Sequence, residues 1–323
     1  MQSNNHIEKL SKMFQEHFGL SVFTTETFPH TASGRHYFRL VSESGFSAIG
    51  AYGNNRKENE AFIYFSKHFH AKGINVPQIY ADDLEEGFYL IQDLGGESLM
   101  DRNKKIKRIN NIFPNELKQL YKKTIQGLIK IQTEGIKDLN TSYCHPRNEF
   151  DEQSMQWDLN YFKYYFLNLS GIEYDEQLLE NDFNELIKYL SRTENNYFLF
   201  RDFQSRNVML VNDEPYFIDY QGGRKGCLQY DLTSLLFQSK ANIPQEVREE
   251  LIDFYFNEIN KITSLNKKEF TSYFYGFTLI RLIQVLGAYG KRGLLEKMPY
   301  FIQSIPLGLE NMKWWLDNIN LPV

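Results

Sequence analysis

Several residue types are scarce in this 323-residue chain, and each scarcity excludes a class of protein. Only two cysteines occur, Cys144 and Cys227, whereas secreted domains that rely on disulfides are dense in cysteine. No run of about 18 apolar residues is present, so no segment is predicted to span a membrane. The net charge of −5 provides no basic surface for nucleic acid. We therefore expect a cytoplasmic protein in a reducing compartment, with neither a membrane nor a nucleic acid as partner.

Two further features are missing from the sequence. The seven histidines are scattered, and His68 and His70 would point to different faces of a helix, so we do not expect a histidine metal site. The first residues include Asn4, Asn5 and His6 and lack the apolar core of a signal peptide. The chain is long enough for two lobes, and its hydrophobic content of 42% allows each lobe a core.

The most informative segment runs from Phe200 to Asn207 and is followed by Asp219. Apolar residues 197–199 and 208–211 flank the segment and predict short buried strands. A turn at 212–215 then leads to a third predicted strand, 216–218, which ends beside Asp219. We expect these three strands to bring two carboxylates and one carboxamide together.

The chemistry that suits this set of side chains is phosphoryl transfer. The reaction requires a carboxylate that accepts a proton from the attacking hydroxyl, and ligands that hold Mg²⁺ against a nucleoside triphosphate. A single aspartate in a polar loop is more often a turn former. The joint occurrence of Asp202, Asn207 and Asp219 between apolar segments indicates phosphoryl transfer instead.

The segment resembles the H-R-D-x-x-x-x-N and D-F-G motifs of protein kinases, but with two departures. Phe200 stands where the first motif has His, and Tyr220-Gln221 stand where the second has Phe-Gly. These departures argue against a protein kinase. The segment is more similar to the superfamily of aminoglycoside phosphotransferases and choline kinases. Within it, residues 200–207, 218–224 and 230–232 look most like the bacterial kinases that phosphorylate N-acetylmuramate and N-acetylglucosamine at the anomeric hydroxyl.

The resemblance implies a fold, a reaction and roles for several residues. It implies an α+β, two-lobed, protein-kinase-like fold, with a small, mostly antiparallel β lobe at residues 1–94 and a larger, mainly helical lobe at 95–323. ATP and Mg²⁺ are the implied cofactors. Asp202 would be the catalytic base, and Asn207 and Asp219 would hold the metal. The implied partner is a small molecule with a hydroxyl group, a sugar by this resemblance.

The nucleotide is expected to contact two segments of the first lobe. Small residues at Ser33 and Gly34, followed by Arg35, permit a close approach of the backbone to phosphates. In the resembled family, the segment corresponding to Asp93 and Leu94 connects the lobes and contacts adenine. A hairpin turn and an ordinary strand exit are the alternatives for these two segments.

The strand predicted at 46–52 carries no lysine, although kinases usually place a lysine there to contact the phosphates. The nearest cations are Arg39, Arg56 and Lys57. Glu58 and Glu60 open the next predicted helix, where acids suit the helix dipole whatever the function. Either another cation substitutes for the lysine, or the chain is a non-catalytic relative.

The acceptor side is less specific in the sequence. Gln204 and Arg206 are candidates for contact with the acceptor, and Arg206 can equally be a surface residue. Asp231 lies at a predicted helix start, which favours a structural role. Helices are predicted near 7–20, 58–72, 230–238, 244–260 and 268–290. Two alternatives to a sugar kinase remain open: a kinase for a cationic acceptor such as an aminoglycoside or choline, and a pseudokinase that only binds.

Overall fold

The computed structural model describes residues 2–29, 34–106 and 112–322 of the chain, so the predicted contact at Ser33 lies outside the described residues. The helices are α1 Gln2–Phe18, α2 Arg56–Ala71, α3 Leu99–Lys105, α4 Asn115–Thr133, α5 Glu152–Phe162, α6 Asn168–Ser170, α7 Glu176–Leu190, α8 Gln229–Leu236, α9 Gln245–Ile259, α10 Lys267–Tyr289, α11 Pro299–Ile302 and α12 Ile305–Asn318. The strands are β1 Val22–Thr27, β2 His36–Ser42, β3 Ser47–Tyr52, β4 Ile79–Asp83, β5 Phe88–Gln92, β6 Tyr197–Leu199, β7 Val208–Val211, β8 Glu214–Phe217 and β9 Arg224–Gly226.

The first five strands form one antiparallel sheet in the order β1-β2-β3-β5-β4. Buried side chains alternate with less buried ones along β2, as expected for a strand that presents one face to a core. Helix α1 covers that face, where Leu10 packs with Phe38 and Leu40. Gly50 of β3 allows this approach, because a Cβ there would lie 2.9 Å from a methyl group of Leu10. The predicted antiparallel sheet is confirmed.

Helix α2 packs against residues from both halves of the chain. Phe62 stacks on Tyr220 with ring centres 5.3 Å apart, and Phe69 meets Phe198 edge-on at 5.0 Å. The hydroxyls of Ser66 and Tyr220 are hydrogen-bonded at 2.6 Å. One cluster of buried hydrophobic residues therefore crosses the predicted lobe boundary at residue 95.

The second half of the chain is mainly helical, as predicted. Helix α10 is its centre and packs against α5, α8 and α12. Its buried residues lie on all sides of the helix, which is typical of a helix inside a core. Trp315 of α12 closes this core, and its indole nitrogen donates to the carbonyl of Tyr275 at 2.8 Å.

The predicted helices at 230–238, 244–260 and 268–290 are confirmed to within a few residues at their ends. The three strands expected around residues 200–207 are present as β6, β7 and β8. Strand β7 pairs with β8, whereas β6 pairs with β9. The turn between β7 and β8 is shorter than predicted. It consists of Asn212 and Asp213, both with positive φ, while Pro215 already belongs to β8. The pairing of β6 with β9 connects distant residues, which a local pattern does not reveal.

Both cysteines are buried and unpaired. Burial raises the pKa of the Cys144 thiol to about 11 and that of Cys227 to about 12, so both thiols stay protonated near neutral pH. No helix in the described part of the chain is long and apolar enough to cross a membrane.

Candidate active site

The loop that follows β6 is held by buried aromatic rings on both sides of Asp202. Phe200 and Phe203 are almost fully buried and meet edge-on at 5.2 Å. Arg201 lies between them with a φ of +83°, a conformation that residues other than glycine rarely adopt. This backbone turn leaves Asp202 partly exposed while its neighbours are buried. The loop is therefore a rigid support for one accessible carboxylate.

Asp231 fixes this loop from the first turn of α8. One of its carboxylate oxygens accepts the backbone N–H of Phe200 at 2.6 Å, and the other accepts that of Arg201 at 2.9 Å. The side chain is fully buried. Burial raises the pKa of Asp231 to about 7, although both backbone hydrogen bonds favour the charged form. These contacts agree with the structural role that the sequence predicts.

Asn207 joins the two predicted carboxylates. Its side-chain nitrogen donates to the backbone carbonyl of Asp202 at 2.9 Å and to Oδ2 of Asp219 at 3.2 Å. The short helical turn at Ser205–Asn207 is held in turn by Gln238, which accepts from the backbone and the hydroxyl of Ser205. Both Asn207 bonds use the nitrogen, so the carboxamide oxygen is available for another ligand.

Asp219 follows β8 in a left-handed conformation, with a φ of +72°. Its side chain is reached by solvent, and its Oδ1 accepts from Gln221 at 2.8 Å. The surrounding protein atoms raise the pKa of Asp219, and the charge of Asp202 adds to this rise, while Gln221 and Arg206 oppose it. A carboxylate in such a position has an incomplete set of positive partners.

Asp202 has the opposite electrostatic environment. The surrounding protein atoms oppose its charged form, but Arg281, Arg201 and Arg206 together lower the pKa of the carboxyl below its ordinary value. Arg281 of α10 makes the direct contact, from Nη2 to Oδ1 of Asp202 at 3.1 Å. Gln284, one helical turn further on, accepts from the other nitrogen of Arg281 at 2.6 Å. Asp202 is therefore charged and oriented near neutral pH.

Arg201 is anchored away from Asp202 by a second carboxylate. Its guanidinium donates to both oxygens of Asp158, at 2.7 and 2.5 Å, and to the hydroxyl of Tyr230 at 2.6 Å. The same group lies 5.0 Å from the ring centre of Phe150. Such a bidentate ion pair is strong and directional. Because Asp158 belongs to α5, far away in sequence, no local pattern marks this contact.

The residues predicted for the acceptor occupy the same loop. Gln204 is half-buried, and Arg206 is exposed while its charge acts on both Asp202 and Asp219. The sequence did not identify Arg281, Asp158 or Gln221 as part of the site.

The residues predicted for the nucleotide lie around the sheet. Gly34 is exposed and has a φ of +73°, and Arg35 beside it is buried. The carboxylate of Asp93 accepts hydrogen bonds from Arg39, from the hydroxyl of Ser47 and from the backbone N–H of Gly95. The Asp93 side chain is therefore committed to the protein. A nucleotide contact at Asp93 would have to come from its backbone.

The sequence model of a family described as "Phosphotransferase enzyme family" matches residues 24–263 of the chain. The chain belongs to this family. An N-acetylmuramate/N-acetylglucosamine kinase of Pseudomonas aeruginosa is 25% identical to this chain. The match covers 66% of this chain and only 60% of the length of that relative. The kinase of the same name from Pseudomonas putida is 22% identical over 85% of this chain and 78% of its own length.

A solved structure shows that the fold is shared as well. The structure of the amicoumacin kinase hAmiN, in complex with AMP-PNP, Ca²⁺ and its ligand, aligns with a TM-score of 0.64 at 13% identity. The alignment covers 100% of this chain and 98% of the kinase chain. The protein-kinase-like α+β fold expected from the sequence is thereby confirmed.

The site of the phosphotransferase suits a hard divalent cation. Mg²⁺ is commonly bound by one or two carboxylates together with waters and substrate phosphates. Asp219 and the carboxamide oxygen of Asn207 can serve as ligands. A cation would favour the charged form of Asp219, whose pKa is raised by the surrounding protein atoms and, to a smaller extent, by the charge of Asp202. Among the described residues, no three His, Cys, Asp or Glu side chains are grouped to hold a metal alone. Waters and substrate phosphates would complete the coordination of a cation held by Asn207 and Asp219.

One cavity of the phosphotransferase lies elsewhere. A groove of about 600 Å³ runs between the start of α10 and residues 318–321. Its lining contains none of the candidate site residues, and we assign it no role in the chemistry.

Proposed function

We propose that the chain is an ATP-dependent kinase that transfers the γ-phosphate to the anomeric hydroxyl of an N-acetylated amino sugar, of the N-acetylmuramate or N-acetylglucosamine type. The observation that carries the proposal is the carboxamide of Asn207, bonded at once to the Asp202 backbone and to the Asp219 carboxylate. This arrangement puts a base and a metal ligand side by side. Phosphoryl transfer needs little else from the protein beyond positioning and charge.

Asp202 is the base in this proposal. Arg281 holds its Oδ1, so Oδ2 is the oxygen that accepts the proton of the sugar hydroxyl. The lowered pKa of Asp202 makes it a weak base, which suits a loose transition state in which the proton leaves late. Its main task is to orient the hydroxyl toward the phosphorus.

Asn207 and Asp219 hold Mg²⁺ in this proposal, and the metal supplies positive charge to the oxygens of the transferred group. The use of ATP is supported by AMP-PNP in the structure of the amicoumacin kinase, which shares the fold. We assign nucleotide binding to residues 1–94 and the chemistry and the acceptor to residues 95–323. Gly34, Arg35, Asp93 and Leu94 would then border the nucleotide.

The acceptor assignment has two supports. Relatives that match most of the chain are N-acetylmuramate/N-acetylglucosamine kinases. In addition, the exposed charge of Arg206 acts on Asp202, whereas Arg201 and Arg281 are paired with Asp158 and with Asp202 itself. The charge of Arg206 would favour an anionic sugar such as N-acetylmuramate over a cationic acceptor such as an aminoglycoside or choline.

The test is a panel of acceptors incubated with the purified chain and Mg²⁺-ATP, with ADP release as the readout. We expect ADP release with N-acetylmuramate and with N-acetylglucosamine. The methyl glycoside of N-acetylglucosamine is the matched control, because it keeps every group of the sugar except the anomeric hydroxyl. It should give no ADP above the background of ATP hydrolysis.

Other outcomes would change the assignment. Equal turnover of the methyl glycoside would move transfer to another hydroxyl. Turnover of choline or an aminoglycoside alone would overturn the sugar assignment. Binding of Mg²⁺-ATP without turnover of any acceptor would favour a non-catalytic binding protein.

A further inference from the structure

Strand β3 of this phosphotransferase lacks the cation that kinases use against the phosphates of ATP. Its sequence, Ser47 to Tyr52, contains no basic residue. The triphosphate carries several negative charges, and Mg²⁺ on Asp219 would neutralise only part of them. Some other cation near the end of β3 is therefore required if the proposed function is correct.

Two of the nearest arginines are already engaged elsewhere. Arg39 of β2 donates to Asp93 at 2.7 and 3.3 Å and to Glu26 at 2.7 Å, so its guanidinium is paired with carboxylates where the chain leaves the sheet. Arg56 lies exposed at the start of α2 and donates to Glu60 and to Glu85, each at 2.8 Å. Each of these guanidinium groups is therefore shared between two carboxylates. Lys57, the third nearby cation, is exposed at the start of α2.

Arg35 is placed differently. Its side chain is only 3% exposed, and its Nη2 donates to Oε2 of Glu58 at 2.9 Å. The other oxygen of Glu58 accepts from the side chain of Asn55 at 2.9 Å, and Asn55 in turn caps the first turn of α2. The guanidinium is thus fixed by a helix terminus that is itself held by a cap. Fixing a long side chain in advance reduces the entropy that binding would otherwise cost.

The stem of Arg35 lies at the end of β3. Arg35 directly precedes His36, which pairs with Tyr52, the last residue of that strand. Gly53 follows, and a Cβ at Gly53 would lie 3.2 Å from Cγ of Arg35 and 2.8 Å from the side chain of Asn59. The glycine therefore leaves room for the arginine against the strand end.

The helix that holds Arg35 also contacts the metal-ligand side of the site. Glu58 lies in the first turn of α2. Further along the same helix, Phe62 stacks on Tyr220 at 5.3 Å and Ser66 is hydrogen-bonded to the Tyr220 hydroxyl at 2.6 Å. Because Tyr220 directly follows Asp219, α2 connects the Arg35–Glu58 pair to the strand end that carries the predicted metal ligand.

We infer that Arg35, positioned by Glu58, is the residue that binds the phosphates of ATP in place of the lysine absent from β3. The inference rests on the proposed function and adds a residue pair to it. A guanidinium can offer two parallel N–H groups to phosphate oxygens, which a lysine cannot. Arg35 would contact the nucleotide, and Glu58 would act only through Arg35.

The test compares ATP with adenosine, because only ATP carries the phosphates. In calorimetry with Mg²⁺ present, we expect Arg35→Gln to weaken ATP binding by about 10- to 100-fold. The binding of adenosine should change less than twofold. Arg56→Gln is the matched control and should bind both ligands as the wild type does. Equal weakening of ATP and adenosine would overturn the inference, since it would indicate general damage to the fold.

Glu58→Gln tests the positioning role without removing the cation. Its side chain has the same size and can still accept from Asn55, so the helix cap is preserved. We expect the KM for ATP to rise several-fold and the KM for the sugar to stay unchanged. Glu60→Gln, on the same helix and bonded to Arg56, should change neither constant. A rise in the KM for the sugar equal to that for ATP would contradict the role of Glu58.

The proposed function and the role of Arg35 can be refuted separately. A wild-type chain that binds no Mg²⁺-ATP would refute the proposed function itself. A wild type that binds and turns over ATP, together with an Arg35→Gln variant of equal ATP affinity, would overturn only the role of Arg35. Loss of ATP affinity in Arg56→Gln would transfer that role to Arg56.

Discussion

The two sides of the site differ in how the chain builds them. The acids and the carboxamide at Asp202, Asn207 and Asp219 come from one continuous stretch that includes the β7–β8 hairpin. The side that we propose for the phosphates combines Arg35 from the start of β2 with Glu58 from α2. Chemistry encoded in one stretch is visible in the sequence, whereas chemistry assembled across elements is not.

Asp202→Asn is the change with the largest expected effect, and it tests whether the continuous stretch contains the chemistry. Loss of the base should lower kcat by about 100- to 10,000-fold, with ATP affinity nearly unchanged. Steady-state kinetics and calorimetry measure the two quantities. Asp213→Asn, in the exposed turn between β7 and β8, is the matched control and should keep full activity. A kcat within threefold of the wild type for Asp202→Asn would remove the aspartate from the mechanism.

Asp231→Asn tests how much of the loop's rigidity comes from outside it. An asparagine can accept only one of the two backbone N–H groups that Asp231 now binds, so we expect the free energy of unfolding to fall by about 1.5–3 kcal/mol. Chemical denaturation at pH 7 measures this loss. Asp182→Asn, exposed on α7, should leave stability within about 0.5 kcal/mol of the wild type.

The wild type and the Asp231→Asn variant should also differ in how their stability depends on pH. The pKa of Asp231 is about 7 in the folded chain, well above its ordinary value of 3.8, so the folded state binds more protons between these values. The stability that Asp231 contributes is therefore largest at acid pH and declines as the pH rises from about 4 to 7. The advantage of the wild type over Asp231→Asn should shrink over that interval. An advantage that grows with pH would contradict the assignment.

Arg281→Gln is expected to have the smallest effect, and it tests whether the continuous stretch needs tertiary help. Removal of the contact to Oδ1 should lower kcat/KM by about tenfold. Because Arg281 is the largest of the charges that lower the pKa of Asp202, the acid limb of the pH profile should move to higher pH. Arg281→Lys keeps the charge and should leave the limb near its wild-type position. A limb that does not move in Arg281→Gln would show that Arg281 has only a structural role.

Much of the fold follows from short-range patterns. The boundaries of α8, α9 and α10 and the strands β6 and β7 agree with the predictions from apolar spacing. Asp202, Asn207 and Asp219 also come together at the ends of the three expected strands, with Asn207 bonded to the Asp202 backbone and to the Asp219 carboxylate. The pairing of β6 with β9 and the support of the loop by Asp231 involve residues distant in sequence, so no local pattern reveals them.

Other parts of the site could not be predicted. Glu58 was interpreted only as an acid that favours a helix start, and it does occupy the first turn of α2. Its bond to Arg35 joins two residues on different elements, and a single sequence carries no signal for such a pair. The same holds for Asp158 with Arg201 and for Arg281 with Asp202.

The sequence by itself determined the type of chemistry and the side chains that can perform it, because those groups lie in one short stretch whose apolar flanks bury it in a defined conformation. Only the tertiary structure decided which cations face these groups, since a charge acts through space and its position depends on how distant helices pack. For this reason Asp202 could be named from the sequence, whereas its partner Arg281 and the pair of Arg35 and Glu58 became visible only in the folded chain.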